Sequence, residues 1–545
     1  MIRHARNSFF VVGEGVLDTD DSGAPITRAP STAEELRRFR FSRLGPKGPR
    51  TDEELRAALA AAITDAEAVH PDDTVPAGFT YLGQFVDHDL TMDRTATQLG
   101  SDVTLDELVQ GRSPALDLDS VYGRGPQDAN DGKFYAEDRV RLKTGTTVAA
   151  AFPDERVAVD LAGFDLPRVG GTGGTLADRR LPLIPDPRND ENLAIAQTHL
   201  AFIRFHNRVV EHLALTGIAE RRLFEAAREQ VVKHYQWMLR TDFLPRVVDP
   251  AVVEDVFTRG RRFFESPHRG RRPTMPVEFA VAAYRMGHSM VRGAYEWNRV
   301  FRSEGPGPVA SLLLLFTFTG VSGNFSGGGL AELDDPNSGT VDRLPTNWIA
   351  DFRRLYDFTE ADRPDLAPPP GGGNVTKRID TLLVDPLAQL PAGTFAGRGT
   401  AFPEIARNLA FRNLTRASMI ELATGQQMAR LFGVRPLTRE QILDGNGGAD
   451  LAGLTDAQRA TVAEATPLWF YVLREAEFGG GRLGAVGGRI VAEVFHRAME
   501  GSRVSIVREP HWRPTLGPDA ATFRMTDLLL FAFEGKADLL NPLGD

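Results

Sequence analysis

At 545 residues the chain exceeds the size at which one simple core normally stops growing, which predicts either two domains or one large, elaborate domain. Its 63 basic and 73 acidic side chains leave a formal charge of −10, so no global basic field exists to attract nucleic acid or anionic lipid. The absence of cysteine excludes disulfides, thiolate metal ligation, iron–sulfur clusters and cysteine nucleophiles, leaving His, Asp, Glu or backbone oxygen to hold any metal.

The first 30 or so residues mix turn formers with charge and read as an irregular arm. They contain no sustained apolar stretch ending in a small-residue cleavage site, so no conventional signal peptide is expected. Helical periodicity then predicts helices over 33–43, 52–66, 79–90, 191–213, 219–241 and 277–299. Further helices are predicted over 403–421, 426–432, 456–462, 466–478, 487–499 and 526–534. The longest apolar run, 312–321, is about half the roughly 20 residues that a bilayer span needs, and reads as buried core. Glycine- and proline-rich breaks at 169–175, 304–308, 322–329, 367–374 and 478–484 read as loops. The first of these, VGGTGGT, lacks the Gly-Lys-Ser/Thr that a phosphate cradle requires. No internal repeat and no run of alternating strands is evident, which predicts a mainly helical protein with long decorated loops.

Four stretches carry chemistry. In YLGQFVDHDLTMD, 81–93, a helix puts Gln84, Asp87 and His88 on one face and rotates Asp89 by about a quarter turn. Taken alone, this polar face reads either as an exposed helix edge or as a site, and a histidine between two aspartates is also a possible metal ligand. In SPALDLDSVYGRGP, 113–126, the alternating Ser113, Ala115, Asp117 and Asp119 can converge oxygens on a hard cation such as calcium; an Asp-rich surface turn is the equal alternative.

In LPLIPDPRNDENLAIAQTHL, 181–200, Arg188 and Glu191 stand three residues apart as a helix begins, where its dipole also favours Asp190 and Glu191. His199 and His206, seven apart on the apolar stripe with Ile195, Phe202 and Val209, read as packing histidines, since zinc pairs on a helix usually sit four apart. In TMPVEFAVAAYRMGHSMVRGAYEWNRVF, 274–301, a helix with Pro276 in its first turn would align Val277, Val281, Tyr284, His288, Val291 and Tyr295 inward. A lone core histidine is more often structural than ligating, so position alone leaves His288 open.

In order and spacing these stretches resemble the animal-type haem peroxidases of the peroxidase–cyclooxygenase superfamily, bacterial branch, from about residue 76 to near residue 533. The resemblance implies a mainly α fold with little β structure: a single large catalytic domain over 76–545, preceded by an arm and peripheral helices over 1–75. It implies a haem b cofactor, hydrogen peroxide as oxidant and a small electron donor (halide, thiocyanate or phenolic) oxidised through a ferryl intermediate. His88 takes the distal acid–base role with Gln84 beside it, Arg188 matches the distal arginine, and Asp87 and Glu191 match the carboxylates that esterify haem. His288 matches the proximal iron ligand and Asn413 the asparagine that accepts its imidazole proton. Asp89 joins Ser113, Ala115, Asp117 and Asp119 as calcium ligands, Ala115 through its carbonyl.

The chain also departs from the family pattern. Asn192 stands where myeloperoxidase-like members carry the methionine of a third, sulfonium haem link, and the Arg-Asp-His run typical of the animal proximal side is missing. Two rival readings follow. A fatty-acid dioxygenase of the same superfamily uses a tyrosine three residues before the proximal histidine; here that residue is Arg285, with Tyr284 one further away. A catalytically inactive, calcium-dependent adhesion protein would have no need to keep His88, Arg188 and His288 together.

Overall fold

Side-chain caps set about half of the described α-helix starts. The computed structural model describes residues 40–545 except 94, 96, 268–272, 321–322, 324–331, 334, 336 and 392–402, together with a two-residue ladder that pairs Asp18–Thr19 with Pro25–Ile26. Helix α1, Glu53–Ile63, begins where the Asp52 carboxylate accepts from Leu55 N, and it stops when the Thr64 hydroxyl turns back onto the Ala60 carbonyl. Helix α2, Gly78–Leu90, starts against the Tyr356 ring, whose hydroxyl donates to the Gly78 carbonyl at 2.9 Å. Helix α3, Leu193–Ala214, is capped by Asn192, whose side chain accepts from Ile195 N. It runs through the core with α2, α4 (Glu220–Met238) and the late helix Met525–Ala532 packed on it. Phe85 of α2 stacks on Phe202 of α3 at 4.4 Å, and both rings meet Tyr235 of α4 edge-on, which fixes the rotation of α2 about its axis.

Besides short helices such as Leu176–Arg180 and Arg439–Asp444, the periodicity missed the ten-residue α5, Pro250–Arg259, announced only by its Asp249 cap and N1 proline. Beyond it the chain forms α6 (Leu409–Met419), α7 (Gly425–Phe432), α8 (Asp456–Glu464), α9 (Leu468–Phe478) and α10 (Gly487–Gly501), with Met525–Ala532 as α11. The segment expected as one helix over 403–421 is split, because the Asn408 side chain caps a new start by accepting from Phe411 N after a short 3-10 turn at Glu404–Arg407. Within 219–241 the α-helix ends at Met238 and gives way to one wide π turn, Leu239–Phe243.

Two expectations fail more clearly. Of the helix predicted over 33–43, residues 33–39 lie outside the described residues, while Phe41–Ser42 form a strand parallel to Met275–Pro276. The predicted helix 277–299 does not exist as such, and Pro276 lies in that strand rather than in a first helical turn. Instead a π turn, Glu278–Ala282, runs into a 3-10 turn, Ala283–His288, and Ala294–Tyr295 pair antiparallel with Ala310–Ser311. Ala282 leaves helical backbone at φ −129°, and past His288 the Ser289 hydroxyl donates to the Arg378 and Asp380 carbonyls, diverting the chain. Val291 and Tyr295 therefore do not continue a helical stripe.

The described strands make only two-stranded ladders, so helices and loops build the fold. Among the described residues no helix is long and apolar enough to cross a membrane. The stretch 41–51 acts as a strap. Leu44 N and Gly45 N donate to the buried Glu278 carboxylate, Arg43 donates to the Ile420 and Glu421 carbonyls, and Thr51 N donates to Ser418 Oγ. It thereby ties the turn leading to His288 to the end of α6, which carries Asn413.

Gly425 opens α7 pressed against Tyr471 of α9; a β-carbon there would lie 1.8 Å from the ring. Tyr471 is buried and its hydroxyl accepts from Leu437 N, so the ring has nowhere to go. Gly425→Ala is expected to cost about 1–3 kcal/mol or more of overpacking, read as a lower denaturant midpoint; an unchanged midpoint would mean that this junction is loose.

Candidate active site

A cleft opens between α2 and the 283–288 turn. One wall carries Gln84, Asp87, His88, Arg188 and Glu191, and the other Tyr284, Arg285 and His288. Leu312, Phe316, Leu387, Leu390 and Leu409 supply apolar lining. The helical offsets of three and four in α2 thus deliver their three polar side chains to one space, as the spacing predicts. Asp89 is rotated away and wholly buried.

His88 is held by its ring: Nδ1 lies 2.8 Å from Asn189 Oδ1, while Nε2 lies 3.7 Å from Glu191 Oε1. Burial, reinforced by the Arg188 charge, pushes its pKa down to about 4, so the ring is neutral at pH 7. Arg188 sits in the 3-10 turn Pro187–Asp190, which Asp186 caps by accepting from Arg188 N. The same carboxylate grips the guanidinium twice, from Nε at 3.1 Å and Nη2 at 2.8 Å, and Nη2 also donates to the His88 carbonyl at 2.9 Å. Arg112, itself buried, donates to the second oxygen of Asp186. Although burial opposes its charge, the two arginines hold Asp186 well below the usual carboxylate range. Asp190 is taken by Arg168 at 2.8 Å and by Gly320 N, a stronger reason for its place than a helix dipole.

Glu191 accepts from the Gln84 amide, and Asn192 donates to Gln84 Oε1 at 3.2 Å. Burial raises the Glu191 pKa to about 7 despite Arg188. Asp87 accepts from the Thr91 hydroxyl at 2.9 Å and faces Arg285 Nη1 at 3.7 Å. Arg285 itself donates to the Ala280 carbonyl, and Trp469 Nε1 holds the Arg285 carbonyl at 3.2 Å.

On the facing wall the Asn413 amide nitrogen lies 2.8 Å from His288 Nδ1. Burial and the Arg285 charge push His288 down to about 3, so the ring is neutral at pH 7. Arg416, one helical turn beyond Asn413, brings a further cation to the cleft. Tyr284 Oη is buried in the cleft wall without a hydrogen-bond partner among the described residues.

The 113–120 loop turns back on Asp89. Leu118 N, Ser120 N and the Ser120 hydroxyl donate to its carboxylate, which burial and Asp119 raise to about 7. Ser113 Oγ lies 3.3 Å from Asp119 Oδ2. Asp119 is also paired with Arg228, and Asp117 accepts from Arg503 N. Ala115 is buried in the same loop. Among the described residues no group of three or more His, Asp or Glu side chains is arranged to hold a metal ion. His206 bonds Tyr122 Oη and the Val140 carbonyl, a packing role; His199 meets Asn189.

Sequence reasoning passed over Asn189, Asp186 and Arg112. A signal existed in Asp-Pro-Arg, 186–188, where an aspartate two residues before an arginine can cap the turn that carries it.

Residues 92–312 match the family model described as animal haem peroxidase. Over that stretch the chain carries an animal haem peroxidase domain. Arg188, Glu191 and His288 fall inside the matched residues; the α2 side chains lie ahead of them and Asn413 beyond. A peroxidase-like protein of Margaritifera margaritifera is 29% identical over 217 residues, covering 37% of this chain and 25% of that protein. Thyroid peroxidase of Canis lupus familiaris is 27% identical over 193 residues, 34% of this chain and 19% of the relative. The chain therefore aligns with only a quarter or less of these relatives' lengths. Among solved structures, peroxidase A of Dictyostelium discoideum aligns with 96% of this chain and 99% of its own at TM-score 0.52 and 15% identity. The fatty acid alpha-dioxygenase of Arabidopsis thaliana aligns with 98% and 84% at TM-score 0.53 and 12% identity. The peroxidase domain thus shares its fold with both, and fold alone does not choose between their chemistries.

Proposed function

We propose that this chain is a haem-dependent peroxidase that reduces hydrogen peroxide and oxidises a small donor such as a halide, thiocyanate or a phenol. The observation that carries this reading is one cleft with a neutral imidazole on one wall, His288, and a neutral imidazole beside a fixed guanidinium on the other, His88 and Arg188. The donor set fits haem: a histidine to hold iron, apolar lining for the macrocycle, Arg285 and Arg416 as cations for its carboxylates, and an unpartnered buried hydroxyl at Tyr284.

When bound, haem supplies redox chemistry at its iron. His288 would ligate through Nε2, which requires a proton on Nδ1 and hence the Asn413 amide turned to present its oxygen. Across the cleft, His88 takes the proton from the near oxygen of peroxide and returns it to the departing one. Arg188 stabilises the negative charge that develops as the oxygen–oxygen bond breaks. Asp87 and Glu191 are the carboxylates we assign to ester links with haem, and Gln84 positions peroxide beside His88. Calcium at Asp89, Ser113, Ala115, Asp117 and Asp119 is a separate part of the proposal, resting on the oxygens of that loop alone; Asp119 is paired with Arg228 and Asp117 accepts from Arg503 N, and no step depends on the ion.

The proposal is tested with the haem-loaded chain, hydrogen peroxide and a screen of bromide, iodide, thiocyanate and a phenolic dye. Turnover of at least one donor is expected, and none in any arm would sink the reading. For His288→Ala, loss of the normal haem spectrum is expected; an unchanged Soret band would contradict ligation there.

The second reading, fatty-acid dioxygenation, draws support from the Tyr284 hydroxyl facing the cleft. It is distinguished by oxygen uptake on adding linoleate without another donor.

A further inference from the structure

We infer that Asn189 is a positioning residue that fixes the ring tautomer of His88, keeping the proton on Nδ1 and turning the Nε2 lone pair into the cleft. The inference rests on the reading of His88 as the distal base. Its evidence is a three-member chain of which the proposed reaction uses only His88: His88 Nδ1 to Asn189 Oδ1 at 2.8 Å, and Asn189 Nδ2 to His199 Nδ1 at 2.8 Å.

An amide offers an accepting oxygen on one side and a donating nitrogen on the other, whereas a neutral imidazole carries one N–H. Two rings that meet one amide through their Nδ1 atoms must therefore hold opposite tautomers. With the oxygen on His88, Nδ1 donates and Nε2 is left as the base. With the nitrogen on His199, Nδ1 accepts and the proton moves to Nε2, which is buried and has no partner among the described residues. That unpaired N–H is a cost, and a basic Nε2 on His88 is what it secures.

The chain is also rigid. Asn189 and His199 are completely buried, and Phe85 stands edge-on to the His199 ring at 5.8 Å. On either side of Asn189, Arg188 is clamped by Asp186 and Asp190 by Arg168. One turn thus grips His88 twice, at its carbonyl through Arg188 and at its ring through Asn189. Base and cation are set by consecutive residues, so a change in the turn moves both together.

Neutron diffraction from crystals of the deuterated full-length holoprotein reads the ring protons directly. In the wild type a deuteron is expected on Nδ1 but not Nε2 of His88, and on Nε2 but not Nδ1 of His199. In Asn189→Asp a carboxylate can only accept, so His88 should keep its tautomer while His199 inverts to carry the deuteron on Nδ1. In Asn189→Leu, His88 should gain Nε2 occupancy. A wild-type His88 protonated on Nε2, or a His199 that does not invert in Asn189→Asp, would overturn the inference. These readouts involve no turnover, so failure of the peroxidase reading would leave them intact, and the wild type and the aspartate variant decide the matter even if the leucine variant does not fold.

Discussion

Replacing His88 by alanine is expected to slow the reaction of the haem-loaded chain with hydrogen peroxide by about 10²–10⁴-fold, the usual worth of a positioned acid–base group. Haem should stay bound, because the iron ligand and the apolar lining are untouched. Arg188→Ala should cost about 10²–10³-fold, the scale of losing one fixed donor to a developing negative charge. Rapid mixing followed at the Soret band checks both, and near-wild-type rates in the two variants would remove the proposed roles. The pH dependence has a definite sign. His88 must be neutral to accept a proton, and its pKa is depressed to about 4. The wild-type rate should therefore hold from neutral pH down to about 5 and fall as pH drops through about 4. Burial is the main cause of that depression and the Arg188 charge adds to it, while Asp186, Asp87 and the Asn189 hydrogen bond oppose it; Glu191 Oε1 also faces the ring at 3.7 Å.

The second large effect concerns stability. Asp186→Asn is expected to lower the unfolding free energy by about 3–5 kcal/mol, the cost of leaving buried charge without its partner. Asp186 is completely buried, with Arg112 and Arg188 both on its oxygens, so the variant leaves two guanidinium groups facing each other. Adding Arg112→Met to Asp186→Asn removes one of those charges and should recover part of the loss. Because the folded pKa of Asp186 lies below its unfolded value, its contribution is complete at neutral pH and disappears only as pH falls below the carboxylate range. Equilibrium denaturation of the three chains is the measurement; equal midpoints would mean that Asp186 is not what balances the pair.

The wall built by α2 was readable because a helix converts sequence offsets into a shared face, and α2 is a regular helix over Gln84, Asp87 and His88. The facing wall was not readable in that way. His288 sits on a 3-10 turn behind a π turn, so a 3.6-residue stripe through Val291 and Tyr295 described no real surface, and only the likeness of YRMGH to a known family singled the residue out. Asp186 and Asn189 went unread because their meaning lies in partners elsewhere: Arg112 is 74 residues from Asp186, and His88 is 101 residues from Asn189. Pairings over such separations leave no period and no composition signal in one sequence. Among the histidines, the seven-residue spacing of His199 and His206 identified two interior rings, while the tie from His199 to the cleft became visible only in three dimensions.

The strap over residues 41–51 gives the cleft a remote point of leverage. It fastens the turn before His288 and the end of the Asn413 helix to one short stretch of extended backbone. A protease cut or a bulky insertion within that stretch would unfasten both at once, letting ring and amide slide past each other although neither had been altered. Surface damage far from the chemistry would then surface as a change in haem colour.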